Sequence, residues 1–263
     1  MEKIRPTAVA GLFYPMDTYE LAELVTNELV QATPKPRHHP VAIIVPHAGY
    51  IYSGAVAASV FKTIQTLQSI IKRVVLIGPS HRVDFQGLAL SSADVFNTPL
   101  GSIRVDKQAQ EKLLTISDII LFDQAHADEH CLEVQLPFLQ HVIDDFSIIP
   151  IVTGKASPEL VSQAIETLWD GNETLVVISS DLSHYHDYLT AQQLDESTSQ
   201  AIVNLDYSAV HSANACGHVA INGLLLFAQQ HHLKASIVDV RNSGDTAGDK
   251  SSVVGYGAYL FEA

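Results

Sequence analysis

Three runs of almost unbroken apolar residues constrain the fold most: VAIIV at 41–45, VVLIG at 74–78 and LVVISS at 175–180. A strand with one wet face alternates apolar and polar residues. Continuous apolar runs belong to a largely parallel sheet covered on both faces. Further strand-like runs are Leu88–Leu90, Ile148–Val152, Ile237–Val240 and Val253–Leu260. Helical spacing of apolar residues fills the gaps at Asp17–Thr33, Ser53–Leu67, Asp106–Ile116, Glu129–Val142, Pro158–Leu168, Ala191–Leu205 and His218–Gln230. The alternation predicts an α/β fold, with a mixed but mainly parallel sheet between two helical layers. Asp17 and Glu20 have the spacing of a capping box at the first helix. The Pro-rich stretch ATPKPRHHP at 32–40 is a connector too short to separate domains, so 1–263 reads as one domain with an N-terminal arm packed on it.

The same three runs end in histidine-bearing loops. VAIIV leads into Pro46-His47, VVLIG into Pro79-Ser80-His81, and LVVISS into Asp181-Leu182-Ser183-His184. The carboxyl ends of parallel strands are where α/β proteins bind ligands, because the loops there open a crevice. If the three strands are neighbours, His47, His81 and His184 converge on one site. A single histidine in such a position is usually a loop residue bonded to backbone; three make a metal or acid/base site the better reading. Cys216, in NACGHVAINGLLLF, stands just before a helix, where the positive end of the helix dipole should lower its thiol pKa. Neutral imidazoles and a thiolate together suit a borderline-soft divalent metal. Asp181 shares a loop with His184 and is placed for proton transfer or for orienting a neighbour.

The segment HADEHCLEVQLPFL is the next signal. It is not the HExxH pattern of zinc proteases. Asp128 and Glu129 suit the start of a helix, which leaves His126 in the preceding loop with a structural role. His130 or Glu133 is expected to line the site, and Cys131 to be an inert buried thiol. The glycine-rich tail GDTAGDKSS at 244–252 has no phosphate-loop pattern and reads as a turn-rich loop near the site.

Composition excludes some partners. Lys and Arg number 15 against 29 Asp and Glu, a net charge of −14, which argues against nucleic acid and against anionic membrane surfaces. Only 17% of the residues are charged, which makes burial of apolar surface in a homo-oligomer plausible. Two cysteines form no disulfide framework and fit a reducing compartment; with no secretory signal and no membrane-length apolar run, the chain reads as cytoplasmic. There are 13 histidines; His38-His39 and His231-His232 lie in polar stretches and read as solvated.

Taken in order, RPTAVAGLFYP, PHAGYIYSG, GPSH, EHCLEVQLPFL, SSDLSHY, ACGH and GDTAGDKSSVVGYGAYLFE span nearly the whole chain. The set resembles the Memo family, in particular its prokaryotic branch called AmmeMemoRadiSam system protein B. The resemblance implies a fold like the catalytic subunit of class III extradiol dioxygenases, which hold non-haem iron with two histidines and a glutamate. It implies His47 and His81 as metal ligands, Cys216 in place of the glutamate, His184 as the acid/base group with Asp181 beside it, and Tyr52, Phe13 and Tyr14 lining the cleft. Iron is the cofactor the resemblance favours; the softer thiolate moves preference toward zinc or copper.

Two functions of different kinds follow from it. One is a metal-dependent oxidoreductase acting on a small molecule in the cleft. The other is a binding protein: animal relatives are linked to phosphotyrosine-peptide recognition, and the branch name implies Ammecr1-like and radical-SAM partners. Three protein ligands with an open position would also suit a zinc hydrolase.

Overall fold

The computed structural model describes residues 2–33 and 40–263, so most of the Pro-rich connector, with His38 and His39, lies outside the described residues. The chain runs β1 (Ile4–Arg5), α1 (Thr18–Gln31), β2 (Pro40–Val45), α2 (Tyr50–Ile64), β3 (Arg73–Pro79), β4 (Leu88–Leu90), β5 (Val95–Thr98) and β6 (Gly101–Val105). It continues through α3 (Lys107–Leu113), β7 (Ile119–Leu121), α4 (Gln124–Ala127), α5 (Leu136–Val142), β8 (Ser147–Thr153), α6 (Pro158–Leu168) and β9 (Thr174–Ser179). The last part holds β10 (His184–His186), α7 (Tyr188–Val203), α8 (His218–Gln230), β11 (Lys234–Asn242), α9 (Ser243–Thr246) and β12 (Val253–Glu262).

The core of the sheet is the parallel set β6-β8-β3-β9-β2. On one side, β12 continues it antiparallel to β2, followed by β11 antiparallel to β12. The other end carries the β5–β6 hairpin and the short parallel strand β1. The apolar runs are buried on both faces, and residue parity decides which face. In β2, Ile43 and Val45 join the core under α1, α2 and α5, whereas Ala42 and Ile44 join the core under α3, α6 and α8. The predicted three-layer α/β arrangement is therefore the observed one. Among the described residues no helix is long and apolar enough to cross a membrane.

Helix α6 shows how local chemistry and packing agree. The Ser157 side chain accepts from the Leu160 N–H, and Pro158 occupies the first turn, where its missing N–H costs nothing. Val161, Ala164, Ile165 and Leu168 then form one buried stripe; each of the larger ones contributes about 1.5–3 kcal/mol. Asp17 caps α1 in the same way, accepting from the N–H groups of Tyr19 and Glu20.

The expected helix over Glu129–Val142 is broken. Glu129 and His130 are irregular, Cys131 and Leu132 form a turn, Glu133–Gln135 a single 3₁₀ turn, and only Leu136–Val142 is α-helical. The Glu129 carboxylate accepts from the backbone N–H groups of His130 and Cys131, and this local bonding competes with helix formation. His231 is also not simply solvated. Its ring packs on Trp169 and Phe227, and its Nε2 lies 2.5 Å from Glu166.

Candidate metal centre

β9 lies between β3 and β2, so the three histidine loops leave adjacent strands at the same edge of the sheet. His47 follows β2, His81 follows β3, and Asp181 and His184 follow β9. Cys216 arrives from the turn before α8. Gly217 permits its approach: a Cβ there would sit 2.7 Å from the Ser180 Cβ and 2.8 Å from the Ser179 carbonyl oxygen.

A ligand atom from each of His47, His81 and Cys216 lies within 4.8 Å of the others. The Cys216 Sγ is 3.3 Å from His47 Nε2. Donors held about 2.0–2.3 Å from one cation in a tetrahedral set lie about 3.3–3.8 Å apart, a spacing the His47–Cys216 pair already has. The hydrogen bonds behind the rings leave the correct nitrogens free. The Ser179 hydroxyl donates to the Cys131 carbonyl at 2.6 Å. It therefore accepts from His47 Nδ1–H at 2.9 Å and from the Gln135 amide at 2.9 Å. That places the proton of His47 on Nδ1 and the lone pair on Nε2. On the other ring, His81 Nδ1 donates to Glu129 Oε1 at 2.8 Å, again leaving Nε2 to ligate.

Glu129 was expected to start a helix; instead it is buried and orients His81. It also accepts from the His81 N–H at 2.6 Å. Burial opposes its charge, but the bonds to His81 and to the backbone hold its pKa down to about 2. Burial, and then the neighbouring His81, push His47 down to about 3, so its ring is neutral as a ligand must be. His130 lines the same space. Its ring stacks on His81 at 4.7 Å and meets His47 edge-on at 5.4 Å, and burial with His47 lowers its pKa to about 4.

The expectation for Cys216 is reversed in sign. Burial, and then the Asp181 carboxylate, raise its pKa to about 12, outweighing the Asp181 N–H that donates to Sγ at 3.3 Å. Without a cation this residue is a thiol. A divalent cation at the three donors would supply the charge that makes thiolate the stable form. Asp181 is itself buried, and burial raises its pKa, opposed by the His47 N–H that donates to Oδ1 at 2.8 Å.

The donors open into a cleft of about 670 Å³ whose walls include Phe13, Tyr52, His130, Asp181 and His184. The tail loop supplies the far wall through Gly248, Asp249 and Ser252. Two expected lining residues are elsewhere. Glu133 is fully buried and accepts from the N–H groups of Ala8 and Val9 and from the Tyr14 hydroxyl, besides pairing with Arg5. Tyr14 is 3% exposed and points into this network, away from the cleft. Both residues anchor the N-terminal arm, and of the pair Phe13-Tyr14 only Phe13 reaches the site. His126 is buried as well, with Nε2 donating to the Ala89 carbonyl at 3.0 Å. Sequence reasoning missed Glu129, Ser179 and Gln135. Ser179 was visible as the last residue of an apolar strand, but no local signal ties Glu129 to His81, 48 positions away.

The family model for Memo-like proteins matches residues 5–260. A MEMO1 family protein of Aquifex aeolicus is 38% identical over 270 residues, covering 98% of this chain and 99% of its own. One from Ignicoccus hospitalis is 37% identical over 285 residues, with 98% of each chain covered. An uncharacterized protein of Escherichia coli K12, known from its crystal structure, shares the fold: its TM-score is 0.51 at 14% identity, over 84% of this chain and 99% of that one. With the match running from the N-terminal arm to the last strand, the chain belongs to the Memo family.

Proposed function

We propose that the protein binds one divalent cation through His47, His81 and Cys216, with iron the favoured occupant and zinc or copper the alternatives. We assign the cleft metal-dependent oxidoreductase chemistry on a small molecule, of the kind class III extradiol dioxygenases perform. The observation that carries this reading is the pair of fixed tautomers: Ser179 and Glu129 take the Nδ1 protons, and both Nε2 atoms are left to ligate beside Sγ. A bound iron or copper ion would supply Lewis acidity and electron exchange with O₂. The chain supplies the rest. His184 lines the cleft and is the group assigned to accept and return a proton. Asp181, buried and tied to the His47 N–H, holds the His47 loop in place at the cleft floor. Phe13 and His130 pack at 4.8 Å and form a wall that excludes water from one side.

The test is the metal content of untagged protein purified without oxygen, wild type beside Cys216→Ser. The expected result is close to one metal per chain, lost in the variant while the fold persists. No metal in well-folded wild-type protein overturns the reading.

A second reading has one observation in its favour. Leu12, Ile51 and Tyr185 stand at the cleft mouth and are 79%, 72% and 78% exposed. Such a rim suits a peptide or a partner protein, Ammecr1-like or radical-SAM proteins among them. Binding that survives removal of the metal by a chelator, with no turnover of small molecules, would favour it.

A further inference from the structure

His184, the group assigned to move a proton, sits on an irregular strand. In β10, His184 pairs with Val254 and His186 with Val253, and the register shifts between the two pairs. Tyr185 stands at the shift with φ 61°, in the left-handed region. For a non-glycine residue this conformation costs energy, which the surrounding structure must offset. The Tyr185 side chain is 78% exposed, so its own packing does not supply the offset. A regular strand would put residues 184 and 186 on one face. Here His184 lines the cleft and His186 is not among its walls.

The loop before the shift is held from two sides. On β12, the Gly255 carbonyl accepts the Leu182 N–H and the Gly255 N–H donates to the Ser183 carbonyl, both at 2.8 Å. On α7, Asp195 is 2% exposed and its Oδ1 accepts the Ser183 N–H at 3.0 Å. Burial raises the Asp195 pKa, opposed by bonding to Ser183 and by the neighbouring His184 and His186 rings. Gly255 makes room for this side chain, since a Cβ there would collide with the Asp195 carboxylate. The helix is tied down at the same point: Ser199 Oγ donates to the Asp195 carbonyl at 2.6 Å and lies 2.7 Å from the Tyr259 hydroxyl. Burying a carboxylate is costly, and an apolar side chain would fill the same space without that cost. A residue that breaks the local rule at the back of a cleft points to a role in the site.

We infer that Asp195 is a positioning residue for His184: it holds the Ser183 N–H, locks the left-handed turn at Tyr185 and so fixes the direction in which the His184 ring enters the cleft. This rests on the proton-handling role given to His184 in the proposed function and adds the residue that aims it.

The test follows histidine ring signals by NMR, in metal-free protein and in protein loaded with zinc, which is diamagnetic. His184→Gln identifies the His184 signal. Asp195→Ala removes the acceptor and is expected to move or split that signal, while those of His47, His81 and His130 stay in place. Asp195→Asn keeps an oxygen for the Ser183 N–H and is expected to restore the wild-type signal. Gly255→Ala leaves the Asp195 side chain intact but displaces it, and is expected to reproduce the effect of Asp195→Ala. Urea unfolding of each variant establishes that it is folded. A role confined to stability would lower the urea midpoint and leave the His184 signal unmoved; that result in folded Asp195→Ala protein overturns the inference. Equal disturbance of all four histidines, or no recovery in Asp195→Asn, overturns it as well. Metal content read on the same samples separates the two claims. Wild-type protein that takes up no metal defeats the metal assignment alone, and the metal-free spectra still decide the role of Asp195.

Discussion

Glu129 and Glu133 are four residues apart, both are buried, and they serve different parts of the molecule. Glu129 accepts from the His81 ring, the His81 N–H and the N–H groups of His130 and Cys131, and so faces the candidate metal centre. Glu133 accepts from Arg5, from the N–H groups of Ala8 and Val9 and from Tyr14, and so holds the N-terminal arm against the core. Each carboxylate is fully supplied with donors, as a buried charge must be. The difference lies in the donors. One partner is a titratable ring whose other nitrogen reaches the cleft, and the other is a permanent guanidinium, buried and also donating to the backbone carbonyls of His126 and Glu129. The first arrangement tunes a ligand; the second fixes a fold.

The sharpest way to break this contrast is Glu133→Ala. It leaves Arg5, 5% exposed, as an uncompensated buried charge, and is expected to cost about 3–5 kcal/mol in urea unfolding. Metal content per folded molecule should stay close to wild type. Glu129→Gln is expected to do the opposite. Metal affinity, followed by competition with a chelator, should fall about 10–100-fold because His81 loses its anchor, with a smaller effect on stability. If both variants weaken metal binding equally, the division of labour is wrong.

Acid titration sharpens it further. His47 and His126 are pushed by burial to about 3 and about 4, against 6.5 for the unperturbed group. Between pH about 6.5 and about 4 the unfolded chain binds protons the folded chain does not, so stability falls as pH falls through that window. Glu129 is depressed from 4.5 to about 2, so its contribution is present above 4.5 and is lost as pH drops toward 2. Urea midpoints measured down to pH 3 should fall throughout. Glu129→Gln should flatten only the part below about 4.5; an unchanged slope there would show that other groups carry the lower window. The smallest expected effect is that of Tyr14→Phe. It removes one of the donors to Glu133, costs about 1 kcal/mol and leaves the cleft unchanged. Loss of ligand binding in this variant would return Tyr14 to the site.

The sequence by itself determined the layers of the fold and the address of the site. VAIIV, VVLIG and LVVISS read as doubly buried strands, because they are short, rich in β-branched residues and apolar on both faces. The residues that end them had to lie at one edge of the sheet once those strands paired in parallel. Helix α6 was legible to the residue because cap, proline and apolar stripe agree locally. The short strands β1, β5, β6, β7 and β10 were not, since two to five residues carry no periodicity and owe their form to the neighbour they pair with.

What only the tertiary structure decided is which buried group meets which. The order β3-β9-β2 put His47 and His81 on either side of the Asp181 loop and brought Cys216 to 3.3 Å from His47. Glu129 rather than Glu133 fell beside His81, and Tyr14 turned inward while Phe13 faced the cleft. The Cys216 pKa moved up because burial and a nearby carboxylate outweighed the helix end, the one influence visible in the sequence. Hydrogen bonds and charge interactions depend on distances of a few ångströms between residues far apart along the chain, and those distances exist only once the chain has folded.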